Sequence, residues 1–227
     1  MKIKSKSYSI ITEEEMADAF YSRLRSRKGL PDIGPFDDVY REVCCQQGRP
    51  DFIGIRAKKG PKLPRFPEQT GLVGPSILAL LYTNAPRTLD YLVARSEFFE
   101  NSIKNTLRQL LEAGLVVRTS TGAFVLGDAF SQLQTEIWAF ELKLDNPKRA
   151  VFQAQQSRLY ANRAMIVVPP GQEKGYLKYS ATLLRWGIGV ATFDLLNGEF
   201  HMMRRGRNSG AICQQHQLYA LLKLGSI

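Results

Sequence analysis

Two stretches decide how this chain folds: Gly48-Arg49-Pro50-Asp51-Phe52-Ile53-Gly54-Ile55 and Ile137-Trp138-Ala139-Phe140-Glu141-Leu142-Lys143-Leu144. Both are short, rich in β-branched and aromatic residues and bounded by loop residues, a pattern that predicts buried strands. Each carries an acid, Asp51 in the first and Glu141 in the second. A charge inside such a strand is costly to bury unless something pairs with it. A divalent cation held between the two carboxylates, with Lys143 beside it, meets that demand. A plain ion pair between Glu141 and Lys143 also meets it, and Glu-x-Lys taken alone recurs by chance.

Working outward, Thr12-Glu13-Glu14-Glu15 has the form of a capping box, and a helix is predicted from there to about Lys28 with Met16, Phe20 and Leu24 on one face. Gly29, Pro31, Gly34 and Pro35 keep the chain in a loop to about Asp38. Val39 to Cys45 reads as a strand that pairs with the Asp51 strand in a hairpin turning at Gln47-Gly48. Beyond the Glu141 strand, Pro147 opens a helix to about Asn162, followed by a buried strand over Arg163–Pro169. A helix over 173–186 with Leu177, Leu183 and Leu184 inward, closing strands at Gly189–Leu195 and Glu199–Arg204, and a last helix over Ile212–Leu224 complete the pattern. Strand, helix, strand in that order implies a parallel pair.

Between the two acidic stretches the composition changes. Residues 56–72 hold Pro61, Pro64 and Pro67 with several lysines, as a linker does. Then come three short helical patterns (Pro75–Leu81, Thr88–Ala94 and about Phe98–Ala113), a stop at Gly114, and two strands, Leu115–Arg118 and Ala123–Leu126, around Thr119-Ser120-Thr121-Gly122. This order resembles a winged helix-turn-helix domain spanning residues 72–128. The resemblance implies that Asn101, Lys104, Asn105 and Arg108 line the outward face of a recognition helix, with Arg118 on the wing, where they would reach DNA phosphates and base edges. A solvated helix face or a protein-binding module is the plainer reading of the same residues.

The chain has 227 residues, room for one large domain or two small ones, and its 44% hydrophobic and 23% charged content is ordinary for a globular protein. No stretch is apolar enough to span a bilayer, and Met1-Lys2-Ile3-Lys4-Ser5-Lys6 has no apolar run behind it, so neither a membrane nor a secretory route is expected. Cys44, Cys45 and Cys213 show no paired metal spacing, and only His201 and His216 accompany them; a reducing, cytoplasmic setting is the expectation. Thirty-one basic against 21 acidic residues give a formal charge of +10, which favours polyanions. The excess is concentrated after the two acidic strands, at Lys58, Lys59, Lys62 and Arg65 and at Lys148, Arg149 and Arg158.

Helix, hairpin with Glu42 and Asp51, strand with Glu141 and Lys143, helix, strand: this order resembles the PD-(D/E)xK nuclease superfamily, with the motif standing as Pro50-Asp51 and Glu141-Leu142-Lys143. The resemblance covers residues 1–66 and about 130–205. It implies an α/β, restriction-endonuclease-like mixed sheet flanked by helices, formed by residues 1–66 and 130–227, with the small winged-helix domain inserted between the motif halves. An inserted domain also accounts for the 90 positions from Asp51 to Glu141, which an unstructured loop would not.

The match implies Asp51 and Glu141 as metal ligands, Glu42 as an additional carboxylate and Lys143 as the partner of the attacking water. It places Glu14 or Glu15 at an acidic first-helix position. Gln156, with Gln153, falls on the helix face where several nuclease subgroups keep a glutamine. Hard carboxylate oxygens suit Mg²⁺, for which Mn²⁺ would substitute. The expected activity is metal-dependent endonucleolytic hydrolysis of double-stranded or branched DNA. A double-strand cut would need two centres, hence a homodimer. A DNA-binding protein of the same fold that does not cut is the alternative, and RNA is disfavoured because no aromatic-rich platform is visible.

Overall fold

The computed structural model describes residues 12–57, 67, 70–131 and 135–225; the basic terminus and the Lys58, Lys59, Lys62 and Arg65 flank lie outside the described residues. The first helix, α1 (Glu13–Leu24), starts where the capping box puts it: Thr12 Oγ1 accepts the Glu15 N–H, and the Glu15 carboxylate accepts the Thr12 N–H. A cap of this kind contributes about 1 kcal/mol. The buried face is Met16, Phe20 and Leu24, as the spacing predicts. The helix ends four residues earlier than expected, because the chain turns through Ser26 and reaches Gly29 with φ of 64°.

Six strands form one mixed sheet. β1 (Asp38–Arg41) and β2 (Phe52–Ala57) make the expected antiparallel hairpin, with Tyr40 opposite Ile53. β1 is shorter than the predicted Val39–Cys45 strand. Glu42 has φ of 53°, and Arg49 holds it there by donating to both its backbone carbonyl and its carboxylate, so the pleat cannot continue.

Between β2 and its neighbour β5 the chain leaves the sheet and builds a second packed unit, whose core also takes in residues of the last helix. It comprises α2 (Val73–Leu80), α3 (Leu89–Ser96), α4 (Glu100–Glu112), a hairpin of β3 (Val116–Arg118) and β4 (Phe124–Leu126), and the short α5 (Asp128–Ser131). Its core is Ile77, Leu78, Leu92, Ile103, Leu107 and Leu110 with Phe124. Gly114, with φ of 68°, closes α4 as the sequence predicts.

β5 (Thr135–Leu142) is buried along its whole length. It runs antiparallel to β2 and parallel to β6 (Arg163–Val168), which it reaches through α6 (Pro147–Ser157). A 3₁₀ segment (Glu173–Tyr179) and α7 (Ser180–Trp186) lead to β7 (Gly189–Phe193), parallel to β6, and β8 (Phe200–Arg204) closes the sheet antiparallel. The order is β1-β2-β5-β6-β7-β8.

The strand period of two sorts the side chains of β5. Trp138, Phe140 and Leu142 face α1, where the Phe20 ring meets those of Phe52, Phe140 and Phe193 at 5.2–5.9 Å. Ile137 and Ala139 face Tyr160, Ala161 and the last helix, α8 (Gln214–Gly225). Further along the same side, Ile166, Val168 and Val190 pack under α6 and α7.

Three further elements depart from expectation. α6 stops at Ser157 rather than Asn162: the Leu159 and Tyr160 N–H groups tighten onto carbonyls three residues back, those of Gln156 and Ser157, and the Asn162 side chain accepts the Ile137 N–H. The 173–186 helix begins as a 3₁₀ segment, so its faces rotate: Tyr176 and Leu183 point inward, whereas Leu177 is 71% and Leu184 51% exposed. α8 serves two cores, with Leu218 and Leu222 packed into the α2–α4 unit and Ala220, Leu221 and Leu224 against the sheet.

Candidate active site

Asp51 lies one residue before β2 and reaches across to the end of β5, where its Oδ2 accepts the Leu142 N–H at 2.6 Å. The same oxygen is 3.8 Å from Lys143 Nζ. Lys143 stands just beyond β5, its N–H bound to the Val167 carbonyl of β6, so the strand register fixes where its side chain leaves the sheet. Its ammonium donates to Glu13 Oε1 at 2.6 Å. Glu141 faces α6, where Ser157 Oγ donates to its Oε1 at 3.3 Å. The residue is 1% exposed, and its Oε2 is buried with no hydrogen-bond partner among the described residues.

These surroundings set the electrostatics. Burial, and then the charge of Asp51, push the Glu141 carboxyl up to about 8, with Lys143, Ser157 and Arg149 acting against the shift. Burial likewise raises Asp51, but the Leu142 N–H and Lys143 favour its ionised form. Asp51 therefore loses its proton first, and Glu141 titrates beside a charge already formed. The two carboxylates thus differ in their affinity for protons, and Glu141 keeps a buried oxygen with no partner among the described residues.

The sequence-derived residues fall into three groups. Asp51 and Lys143 approach to 3.8 Å, and Glu141 lies in electrostatic range of both. Glu42 is within electrostatic range of Asp51, yet its carboxylate is held by Arg49. Gln156 sits on α6 against the β1–β2 turn, close enough that a Cβ on Gly48 would lie 3.6 Å from its own, and the Gln153 Oε1 is buried and unpartnered among the described residues. Lys148 and Arg149 are exposed on the first turn of α6, and Arg149 is near enough to favour the Glu141 carboxylate.

Arg158 is different. It is 1% exposed and spends its guanidinium on the carbonyls of Trp186, Ala161 and Gly210 and on Ser209 Oγ, so it is a structural clamp and not part of a basic flank. On the α2–α4 unit, Asn101, Lys104, Asn105, Arg108 and Arg118 are all exposed. Lys104 is paired with Glu100 at 2.6 Å, and Arg118 Nε donates to the Gly122 carbonyl.

Glu13 is the site residue that sequence reasoning missed, having favoured Glu14 or Glu15. Glu15 is used by the cap, and Glu14 is exposed with no role at the site. The signal was present: Glu13 lies three residues before Met16, on the helix face that turns toward the sheet.

The chain matches no family model, no curated protein and no solved structure. Among the described residues no three His, Cys, Asp or Glu side chains converge as a metal centre. The pair Asp51 and Glu141 nevertheless fits Mg²⁺, which is bound through one or two carboxylates and completes its shell with water and substrate phosphate. The buried, unpartnered Glu141 Oε2 is the atom such an ion would satisfy.

Proposed function

We propose that this protein is a Mg²⁺-dependent endonuclease acting on DNA, with a restriction-endonuclease-like sheet domain and an inserted winged-helix unit that positions the duplex. The observation that carries this reading is the approach of Asp51 to Lys143 at 3.8 Å at the adjoining ends of β2 and β5, with Glu141 in electrostatic range of both and one of its oxygens unsatisfied among the described residues. Asp51 and Glu141 would hold the ion, whereas the Glu42 carboxylate, expected as a third, is engaged by Arg49. At this position a divalent ion acidifies water and offsets charge on phosphate oxygens. Mn²⁺ is expected to substitute.

The protein's own groups supply the rest. Lys143 carries a fixed positive charge beside the acids, oriented by Glu13, and from there donates a hydrogen bond to an attacking water or a phosphate oxygen. Glu141, seated against Ser157, accepts from water or holds a proton depending on pH. Gln156, Lys148 and Arg149 on α6 would steady a backbone phosphate. Asn101, Lys104, Asn105, Arg108 and Arg118 would contact the duplex outside the cleavage point. A double-strand cut would then require a homodimer.

The test is digestion of supercoiled, linear, branched and single-stranded DNA with Mg²⁺ or Mn²⁺. Products that vanish with chelator and in Asp51→Ala and Lys143→Ala support the reading; no product from any substrate overturns it. A second reading has its own observation: the Lys143 ammonium is engaged by Glu13, and no third ligand joins the two acids among the described residues. On that reading the protein binds DNA without cutting it, and binding survives chelation.

A further inference from the structure

A second polar site lies on the other face of the sheet. Trp138 and Glu141 are three residues apart on β5, an odd offset that puts them on opposite faces and roughly 10 Å apart along the strand. Under Trp138 is a cavity of about 160 Å³, lined by Asp32, Arg56, Arg163, Met165 and Arg205 among others. At about 30 Å³ per water it has room for several. Trp138 is 5% exposed, and its indole Nε1–H is buried with no acceptor among the described residues. Leaving such a donor unpaired costs about 1–3 kcal/mol.

The donors around the cavity agree with one another. The Arg163 guanidinium lies 4.8 Å from the Trp138 ring and that of Arg56 5.8 Å, and both guanidinia are oriented by the buried carboxylate of Glu136. Each nitrogen of Arg56 has a partner, since it also donates to the carbonyls of Ile33 and Pro35. Arg163 spends Nε on Glu136 and one terminal nitrogen on the Gly206 carbonyl, and its remaining nitrogen has no partner among the described residues. Arg205 stands at the rim, paired with Asp32 at 2.7 Å. Three arginines against Glu136 and Asp32 leave one positive charge, and the unspent groups, Trp138 Nε1 and a guanidinium edge, can only donate.

We propose that this cavity binds a phosphate-class oxyanion, accepting from Trp138 Nε1–H and Arg163 with Arg205 closing the mouth. Guanidinium forks match the oxygens of a phosphate, and the aromatic wall excludes water from one side. The anion is either free phosphate or the terminal phosphate of a nucleic-acid strand, which present the same oxygens. The site neither contains nor depends on the two acids of the candidate active site.

The test uses indole N–H signals in ¹H–¹⁵N spectra, recorded with chelator so that no divalent ion contributes. The chain has two tryptophans, and W186F assigns the Trp138 signal. Inorganic phosphate, a 5′-phosphorylated dinucleotide and its unphosphorylated counterpart are titrated at ionic strength held constant with chloride. The expected result is a saturable shift of Trp138 alone with one or both phosphate ligands. It weakens at least threefold in Arg205→Gln, whose side chain is 75% exposed and so removable without unfolding, and about tenfold in Trp138→Phe read by calorimetry. Saturation by free phosphate assigns a free anion; saturation by the phosphorylated dinucleotide alone assigns a strand end. A Trp138 signal that stays still, or follows chloride equally, overturns the proposal, as does undiminished affinity in Arg205→Gln.

Discussion

Asp51 Oδ2 accepts the backbone N–H of Leu142 at 2.6 Å, tying the start of β2 to the end of β5 across 91 positions of sequence. One oxygen thus braces the sheet while the carboxylate faces Lys143. Asp51→Asn keeps an acceptor there, so at pH 6 its urea midpoint should stay near wild type. Asp51→Ala strands the Leu142 N–H and should lose roughly 1–3 kcal/mol. Both should lose Mg²⁺ binding and cleavage. Equal stability of the two variants would show that the brace contributes nothing.

Glu141 ties stability to pH in a direction opposite to that of most carboxylates. Its folded value, about 8, lies above the ordinary 4.5, so between those limits the folded protein holds a proton that the unfolded chain has released. The associated stability is fully present below about pH 4.5 and is lost as pH rises through 8, at roughly 1.4 kcal/mol per unit over the steep part. Asp51, also raised, acts in the same sense. Metal-free protein should therefore melt at lower temperature at pH 9 than at pH 6, and Glu141→Gln should flatten the profile. Mg²⁺ added at pH 8 should raise the melting point of wild type and not of the variant. A wild-type profile already as flat as that of Glu141→Gln would refute the account.

Much of this arrangement was legible in the chain because strand signals and chemistry coincided. Asp51 and Glu141 interrupt runs of β-branched and aromatic residues, and the two runs do pair in one sheet. The α2–α4 unit was legible from its stops, notably Gly114. What failed was what tertiary contacts decide. Val43, Cys44 and Cys45 extend the β1 pattern on paper, but the Arg49 clamp on Glu42 turns the chain first. Leu177 and Leu184 share a stripe in an α-helix and lose it once the segment starts as a 3₁₀ turn. Arg158 carries a charge that suggested phosphate, and only its four hydrogen-bond partners reveal a clamp. The last helix was expected over Ile212–Leu224, but that two cores share it is settled only by tertiary packing.

Glu13 and Lys143 should separate positioning from stability. The pair is 2.6 Å long but its acid is about half exposed, so Glu13→Gln should shift the melting temperature by little, in keeping with the 0–1 kcal/mol typical of exposed pairs. Its effect should fall on turnover, by about tenfold or more, with substrate KM nearly unchanged, because the lysine loses its anchor and not its charge. Lys143→Met should abolish cleavage. If Glu13→Gln cleaves as fast as wild type, Lys143 is positioned by Asp51 alone.

The outward face of α4 makes the last prediction, and it concerns salt. Lys104 is neutralised by Glu100 one turn earlier, at 2.6 Å, whereas Arg108 is exposed on the same face. If that face lies on a duplex, each cation at a phosphate adds about 0.9 to the slope of log affinity against log salt. Arg108→Ala should reduce the slope by about that amount and weaken binding uniformly across sequences. Glu100→Gln should do the opposite: it frees Lys104, strengthens binding and steepens the slope. Fluorescence anisotropy with a labelled duplex from 50 to 300 mM salt (roughly the range in which such slopes are measured) reads both. Opposed shifts in the two variants are hard to obtain from a general loss of folding, so they isolate the helix face itself. Slopes unmoved in both would assign α4 to a protein partner.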